Sequence, residues 1–417
     1  MEIERSRYLQ ELIDRKHNGL IKVVTGARRA GKSYLLFRIF VKHLKDSGVN
    51  EDHIIRISLD ERKMEAYRSP DILLEHLESQ IQDEQMHYIL LDEIQMADDF
   101  ESVLNSLNHR ENVDVYVTGS NSRLLSKDVI TEFRGRGDEI HLYPLSFREF
   151  MSAYEGDRYR GWEEYRLYGG LPFILSRKTG QQKTEYLTNL FRETYLKDII
   201  ERHGIRNDAE LFRLVEVLSS SVGSLTNPKR IADTFRTVTG SSISQNTIKS
   251  YIDALEDAFL IKGAERYDVK GRRYIGSPRK YYFEDIGIRN ALLNFRQTEE
   301  NHVMENIIFN ELRVRGYQVD VGVVETYEKD AEGAYSRKHL EIDFVAGQGS
   351  KRYYIQSAFA LPDDEKIRQG VRPLLSVHDS FKKIVVTRDY VFLRRDNDGI
   401  VTMGILDFLL NENSLEL

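Results

Sequence analysis

Eight residues near the start of the chain have the types and spacing to hold a phosphate chain. Gly26-Ala27-Arg28-Arg29-Ala30-Gly31-Lys32-Ser33 fits G-x-x-x-x-G-K-[ST] at every fixed position. Glycines let the backbone curl so that successive N–H groups face phosphate oxygens, and the helix that follows points its positive end at the same anion. Lys32 reaches the β- and γ-phosphates, Ser33 offers a hydroxyl to Mg²⁺, and Tyr34 continues the contact surface. A second cluster, Tyr88-Ile89-Leu90-Leu91-Asp92-Glu93, is an apolar run that ends in two carboxylates. Asp92 suits a Mg²⁺ ligand, and Glu93 suits a general base on water. A third, Thr118-Gly119-Ser120-Asn121, ends another β-rich run, and Ser120 is read as a polar group beside the water and the terminal phosphate. Arg134-Gly135-Arg136-Gly137 adds two guanidinium groups, of which Arg136 could neutralise transition-state charge across a subunit boundary. A solvated basic loop is the alternative for that segment.

These groups need a scaffold that brings them to one edge. Ile21 to Thr25 reads as a strand, and Lys32 to Leu44 as a helix with Leu35, Leu36, Ile39, Phe40 and Leu44 on one face. His53 to Leu59, Tyr88 to Leu91 and Val113 to Val117 are further β runs, and Glu139 to Leu142 is a fifth. Strands alternating with helices predict a parallel sheet covered on both faces. Such sheets bind ligands at the C-terminal ends of their strands, where Asp92 and Glu93 stand. From Ser146 to about Ile205 the pattern is helical, interrupted by Gly169-Gly170-Leu171-Pro172. Helices and a β-hairpin follow to Asp285, and then the order helix, three strands, helix, strand.

The composition allows this. The 417 residues favour two to four domains, and 41% hydrophobic with 30% charged residues is ordinary for a core-forming chain. No run of about 18 uncharged apolar residues occurs, so no membrane span is expected, and the charged start lacks an apolar signal segment. The absence of cysteine excludes disulfides and thiolate metal sites and fits the cytoplasm. A net charge of -7 means that any nucleic-acid contact must come from a local basic patch.

The motifs together resemble a prokaryotic family of AAA-type ATPases with a C-terminal domain of unknown function numbered 4143. The resemblance runs through the phosphate loop, Leu91-Asp92-Glu93-Ile94-Gln95, Thr118 to Leu125 and Arg134-Gly135-Arg136. It continues through Pro144-Leu145-Ser146-Phe147-Arg148-Glu149-Phe150, Gly169 to Pro172, Lys280 to Gly287 and Glu341-Ile342-Asp343-Phe344-Val345. It implies an α/β architecture: an AAA-type P-loop core over residues 1–145, a helical lid over 146–205, a winged helix over 206–285 and a restriction-endonuclease-like α/β domain over 286–417. The phosphate loop with Asp92 points to ATP and Mg²⁺ as cofactors, and a finger at Arg134 or Arg136 to assembly into a homo-oligomer.

Two later segments could meet a partner. Ser244 is a fitting N-cap for a helix whose apolar face is Ile248, Ile252, Leu255 and Phe259, leaving Gln245, Asn246 and Lys249 exposed at its start. Residues 261 to 280 hold seven Lys or Arg against two acids, with Lys270, Arg272 and Arg273 at the expected hairpin tip. Duplex DNA would favour such a patch, and a protein partner is the alternative. Farther on, Glu305 on a helix, Asp343 on a strand and Gln356 on the next strand echo a nuclease metal site. The lysine expected two positions after Gln356 is Ala358. A degenerate site is therefore expected, with Lys351 or Lys366 as substitutes from elsewhere. The readings in play are an ATP-driven switch or motor acting on DNA or a DNA-bound partner, an ATP-regulated protein scaffold, and an ATP-dependent nuclease.

Overall fold

A computed structural model describes residues 3–120, 137–240, 243–296, 299–329, 335–358, 364–388 and 391–417. The chain forms two compact units, Met1–Pro144 with Asp257–Phe259, and Leu145–Glu256 with Leu260–Leu417.

The first unit is built on a five-stranded sheet of β1 (Ile21–Thr25), β2 (Ile54–Ser58), β3 (His87–Asp92), β4 (Val113–Thr118) and β5 (Gly137–His141), in the order β2-β3-β4-β1-β5. Every pairing is parallel. Alternate residues serve opposite faces, as the two-residue period of a strand requires. On β3, Ile89 and Leu91 join one core beneath helices Pro70–Gln80 and Phe100–Asn108, while Tyr88 and Leu90 join the other. That second core packs helix Ser6–Asp14 and the helical run from Lys32 to Asp46, which is π-helical over Leu35–Phe40. The central strands β1, β3 and β4 are buried along their whole length and read as near-continuous apolar runs, whereas β2 and β5 carry exposed residues. Lys22 is a buried charge among them: fully buried on β1, it donates to the Leu20 carbonyl at 2.7 Å and pairs with Asp114, which also accepts from Tyr116 Oη at 2.8 Å.

The second unit begins with helices Phe147–Ala153, Arg158–Tyr168 and Gly180–Leu190. Helices Lys197–His203, Asp208–Ser220, Pro228–Thr239 and Gln245–Asp257 follow. Ser146 and Glu149 close a capping box at the first of these, which explains the Pro144-to-Phe150 motif as a helix start signal. An eight-stranded sheet follows, formed by β6 (Ile261–Asp268), β7 (Arg273–Phe283), β8 (Gln318–Lys329), β9 (Tyr335–Gln348), β10 (Lys351–Ala358), β11 (Lys382–Thr387), β12 (Arg394–Arg395) and β13 (Val401–Gly404). Its order is β12-β13-β11-β10-β9-β8-β6-β7.

The β6–β7 hairpin is joined to the strands that follow it. Arg266, Tyr267 and Asp268 of β6 pair in parallel with Val321, Gly322 and Val323 of β8. Segments 146–205 and 286–417, and 206–285 apart from Asp257–Phe259, lie within the second compact unit. Past Ile286 the order contains helices Ile286–Leu292 and Glu300–Val314 ahead of the three strands, and β12, β13 and helix Ile405–Leu410 at the end. Strands of two and four residues are too short to show a hydrophobic period, which is why only one strand was legible there.

Two glycine-bearing motifs, 116 residues apart at Gly169 and Asp285, meet in this unit. Asp285 caps helix Ile286–Leu292 by accepting from Ile288 N at 3.0 Å, and accepts from Gly170 N at 2.8 Å. Gly169 has φ +76°, and a Cβ there would lie 2.4 Å from the Asp285 carboxylate. A Cβ on Gly287 would lie 2.0 Å from the Tyr168 carbonyl oxygen. Asn290 adds donors to the carbonyls of Arg166 and Leu167 at 3.0 and 2.9 Å.

Burial pushes the Asp285 carboxyl up to about 6 against the pull of the backbone N–H groups. A carboxyl raised in the fold favours the folded state as the acid. Its contribution is full below its ordinary 3.8 and is lost as pH rises through about 6. Denaturant melts of wild type and Asp285→Asn should therefore show wild type losing stability relative to the variant between about pH 4 and pH 7. A difference that stays flat, or grows in favour of wild type with pH, would refute the assignment.

Candidate functional site

The phosphate loop leaves the C-terminal end of β1 with Gly26 at φ +135°, Arg29 at +65° and Gly31 at +103°. Gly26 is required on two counts. Its φ is open to few side chains, and a Cβ would stand 2.1 Å from the Leu142 carbonyl oxygen. Ala27 and Ala30 are buried, Arg29 and Ser33 exposed, and Arg28 between the two. Tyr34 is exposed on the following helical run. Lys32 is buried, and its Nζ donates to the carbonyls of Gly26 at 2.9 Å and Ala27 at 3.0 Å. The amine thus lies folded over the concave side of its own loop.

The sheet register places the acidic pair. Leu91 pairs with Val117 and Val24 with Thr118, so Asp92, Thr118 and Val24 lie level on three strands, one residue before β1 ends at Thr25. Ser33 Oγ donates to Asp92 Oδ1 at 2.9 Å, and Ser58 Oγ donates to Oδ2 at 3.2 Å. Thr118 Oγ1 also donates to Oδ1. Burial pushes the Asp92 carboxyl up, while the hydroxyls of Thr118 and Ser33 work in the other direction. A hydroxyl and a carboxylate this close present the hard oxygen pair that Mg²⁺ accepts alongside phosphate and water.

Glu93 sits just past the strand end at φ +53°, ψ +50°. A non-glycine residue in the left-handed region costs energy and is held there by its surroundings. Here its N–H donates to Thr118 Oγ1 at 3.0 Å, and its carboxylate accepts from Ser120 Oγ at 3.1 Å and from Gln95 Nε2. Ser120 is buried and oriented by Glu93. Gln95 and Ser58 are the participants that sequence reasoning missed. Gln95 lay in the quoted Asp92-Glu93-Ile94-Gln95 motif, whereas nothing local marks Ser58. Arg134 and Arg136, with the segment from Asn121, lie outside the described residues.

In the second unit, Gln245, Asn246 and Lys249 are exposed at the start of helix Gln245–Asp257, and Ser244 Oγ accepts from Thr247 N at 3.0 Å as the N-cap. Lys270, Arg272 and Arg273 are exposed around the β6–β7 turn. The basic patch is smaller than the sequence count. Lys280 is 3% exposed, Arg279 is paired with Glu265, and Arg273 lies 3.4 Å from Asp268.

Lys280 belongs instead to the carboxylate cluster. Glu305, Asp343 and Gln356 do come together: Gln356 Nε2 and Ser357 N each donate to Asp343 Oδ2 at 2.8 Å. Between the acids lies Lys280 Nζ, 2.9 Å from Glu305, 2.8 Å from Glu341 and 3.9 Å from Asp343. Tyr282 Oη donates to Glu305 at 2.6 Å. Burial opposes the charge on Lys280, but Glu305, Asp343 and Glu341 outweigh it and raise the amine above its ordinary range. Burial and then Glu305 push the Asp343 carboxyl well up. Lys351 is not the substitute lysine, since it pairs with Glu416 at 2.7 Å. The Lys366 side chain lies outside the described residues. The alternation of Lys280 and Tyr282 on one strand, beside Glu341 and Asp343 on another, was the available signal.

Residues 18–151 match the family model of an AAA domain, and residues 159–299 match a domain of unknown function (DUF8612), a different designation from the expected 4143. An uncharacterized protein of Haemophilus influenzae is 33% identical over 414 residues, spanning 98% of each chain. The chain belongs to that protein's family. A further relative, an uncharacterized protein of Methanocaldococcus jannaschii, is 29% identical over 84% of this chain and 77% of its own length. Among solved structures, the Aeropyrum pernix Orc1 protein in complex with DNA overlaps 70% of this chain and 93% of its own, at 14% identity and a TM-score of 0.30. Cdc6p from Pyrobaculum aerophilum overlaps 73% and 94%, at 11% identity and a TM-score of 0.30. Those overlaps are too loose to speak for the architecture of this family, which rests on strand order and the loop. Among the described residues no helix is long and apolar enough to cross a membrane.

Removing Lys280 would leave buried Glu305 and half-buried Glu341 facing each other without their cation. Breaking a buried ion pair on one side costs about 3–5 kcal/mol. Lys280→Met should lose stability of that order in chemical denaturation, and Lys280→Arg should lose less. A loss below about 1 kcal/mol for the methionine variant would mean that the cluster is not held by this charge.

Proposed function

We propose that the chain binds ATP with Mg²⁺ and hydrolyses it, and that the conformational cycle acts on DNA or a DNA-bound partner. The observation that carries the ATPase reading is the Ser33–Asp92 hydrogen bond at the strand ends, directly beside a phosphate loop whose lysine folds back onto the loop carbonyls. In this reading Gly26 to Ser33 wrap the phosphates with backbone N–H groups, and Tyr34 flanks them. Lys32 leaves the carbonyls of Gly26 and Ala27 and turns to the β- and γ-phosphates. Ser33 and Asp92 hold Mg²⁺, which neutralises phosphate charge. Glu93 takes the proton of the attacking water, oriented by Ser120 and Gln95, and Arg136 is the proposed finger supplied within a homo-oligomer. The division into core, lid, winged helix and endonuclease-like segment at 145, 205 and 285, with the finer 4143 relationship, belongs to the same proposal.

DNA contact rests on Gln245, Asn246 and Lys249 at one helix start and on Lys270, Arg272 and Arg273 at the hairpin turn. A protein partner at the same surface is the alternative. A specific observation also speaks for the nuclease reading: Lys280 supplies the amine that Ala358 lacks. Against it, that amine is already engaged with two carboxylates, and Gln356 adds no negative charge. We therefore read Glu305, Asp343 and Gln356 as a degenerate site.

Purified protein should turn over ATP only with Mg²⁺ present. Lys32→Ala should weaken nucleotide binding about 10- to 100-fold, the loss of one charge-assisted contact. Gly26→Ala should abolish it. Glu93→Gln should still bind ATP but lower kcat about 10²- to 10⁴-fold, and Ser120→Ala should lower kcat with little change in KM. Equal turnover by wild type and Glu93→Gln would sink the assignment.

Duplex DNA binding, measured by fluorescence anisotropy, should weaken steeply as salt rises and should weaken further in Lys270→Ala/Arg272→Ala. Binding that ignores both would favour the protein partner. DNA and RNA incubated with Mg²⁺ or Mn²⁺, with and without ATP, should stay intact. Cleavage lost in Asp343→Ala while ATP turnover persists would promote the nuclease reading.

A further inference from the structure

The end of the five-stranded sheet away from the phosphate loop holds a cluster that no step above uses. His53 directly precedes β2, and His87 opens β3. The register pairs Ile54 with Tyr88, so the two histidines are neighbours across adjacent strands. Both are buried, with ring centroids 4.7 Å apart and planes at 81°. Asp83 lies in the loop between helix Pro70–Gln80 and β3, and it is exposed. Its Oδ2 is 3.0 Å from His53 Nε2 and its Oδ1 is 4.0 Å from His87 Nε2. The three ligand atoms all lie within 4.8 Å of one another. The edge of a tetrahedron around Zn²⁺, with bonds of about 2.0 Å, is roughly 3.3 Å, so small side-chain adjustments close it.

One residue organises two of these ligands. Gln85 N donates to Asp83 Oδ1 at 2.8 Å, and the Gln85 carbonyl accepts from His87 Nδ1 at 2.8 Å. A carbonyl can only accept, so Nδ1 carries a proton, and Nε2 is the ring nitrogen that faces Asp83. A carbonyl that fixes the tautomer and orientation of an imidazole is the outer support found behind ligating histidines. The Gln85 N–H, followed by His53, holds the Asp83 carboxyl below its ordinary range, in its ligating form.

We propose that His53, Asp83 and His87 bind one Zn²⁺ ion per chain, leaving a fourth position to water on the exposed Asp83 side. Two imidazoles and one carboxylate form the borderline donor set that this ion accepts, and no thiolate is needed. In the metal-free form the His53 Nε2–H bond points at Asp83, since a carboxylate only accepts. On binding, the ring takes its proton at Nδ1 instead, the Nε2–H bond breaks and an Nε2–Zn bond forms, with the imidazole neutral before and after. The site is five residues along β3 from Asp92, about 16 Å, and so is distinct from the nucleotide ligands. Because β2 is an edge strand of the sheet, the ion would fasten it to β3 and to the loop that carries Asp83.

The full chain, stripped with a chelator and free of nucleotide, is titrated with Zn²⁺ by calorimetry and with Co²⁺ by visible absorption. The expected result is one ion per chain, a tetrahedral cobalt spectrum, and weaker binding as pH falls. The melting temperature should rise with bound Zn²⁺. Asp83→Asn alters an exposed side chain and spares the core, and it should weaken binding at least about tenfold, the size that losing an outer support already reaches. His53→Gln should remove the tetrahedral spectrum. Wild type that takes up no stoichiometric Zn²⁺, or that binds no more tightly than Asp83→Asn, overturns the site and leaves a hydrogen-bonded histidine–aspartate pair only.

Discussion

Asp92 is buried at the end of β3 and accepts from three hydroxyls that arrive from three different elements: Ser33 from the helix after the phosphate loop, Ser58 from the end of β2, and Thr118 from the end of β4. A carboxylate taken out of water must be satisfied by neighbours or give up its charge. Those hydroxyls can reach it only if the three strands end level and the loop returns its helix to the same edge. The parallel register delivers the first condition, and Gly26, packed against the Leu142 carbonyl, delivers the second. Glu93 inherits its position from the same arrangement, because the Thr118 hydroxyl that donates to Asp92 also accepts from the Glu93 N–H.

Much of this edge was legible in the sequence. The loop motif, the apolar run into Asp92-Glu93 and the five β runs are local signals, set by residue type and by period. The strand at Gly137–His141 and the helical run to Asp46 fall within a few residues of where the pattern put them. Ser58 was not legible, since a serine at a strand end becomes a partner only through the neighbouring strand. Gln95 had no readable role for the same reason: its target, Glu93, turns back through a left-handed backbone that sequence does not announce.

The second unit was legible in its motifs but not in their meaning. Gly169-Gly170 and Asp285-Ile286-Gly287 are two halves of one contact, in which an aspartate fills the space that two missing side chains leave open. The helix starts at Ser146 and at Ser244 were readable. Lys280 was placed with the wrong group. In the sequence it is one more cation in a basic stretch, whereas in the fold β7 carries it inward beside Tyr282, to acids contributed by a helix and by β9.

The pairing of β6 with β8 bears on how such a chain can be inherited. A gene segment beginning near Ile286 would encode six of the eight strands, an unpaired stretch along β8, and the acids of the cluster without their lysine. Exposed strand edges and uncompensated buried charge are both penalties for a free-standing piece. The hairpin and the C-terminal strands share one sheet, and a cut that keeps the β6–β8 pairing and the Lys280 cluster intact lies upstream of Ile261. The match to the Haemophilus influenzae protein, at 33% identity, covers 98% of both chains and so includes that point.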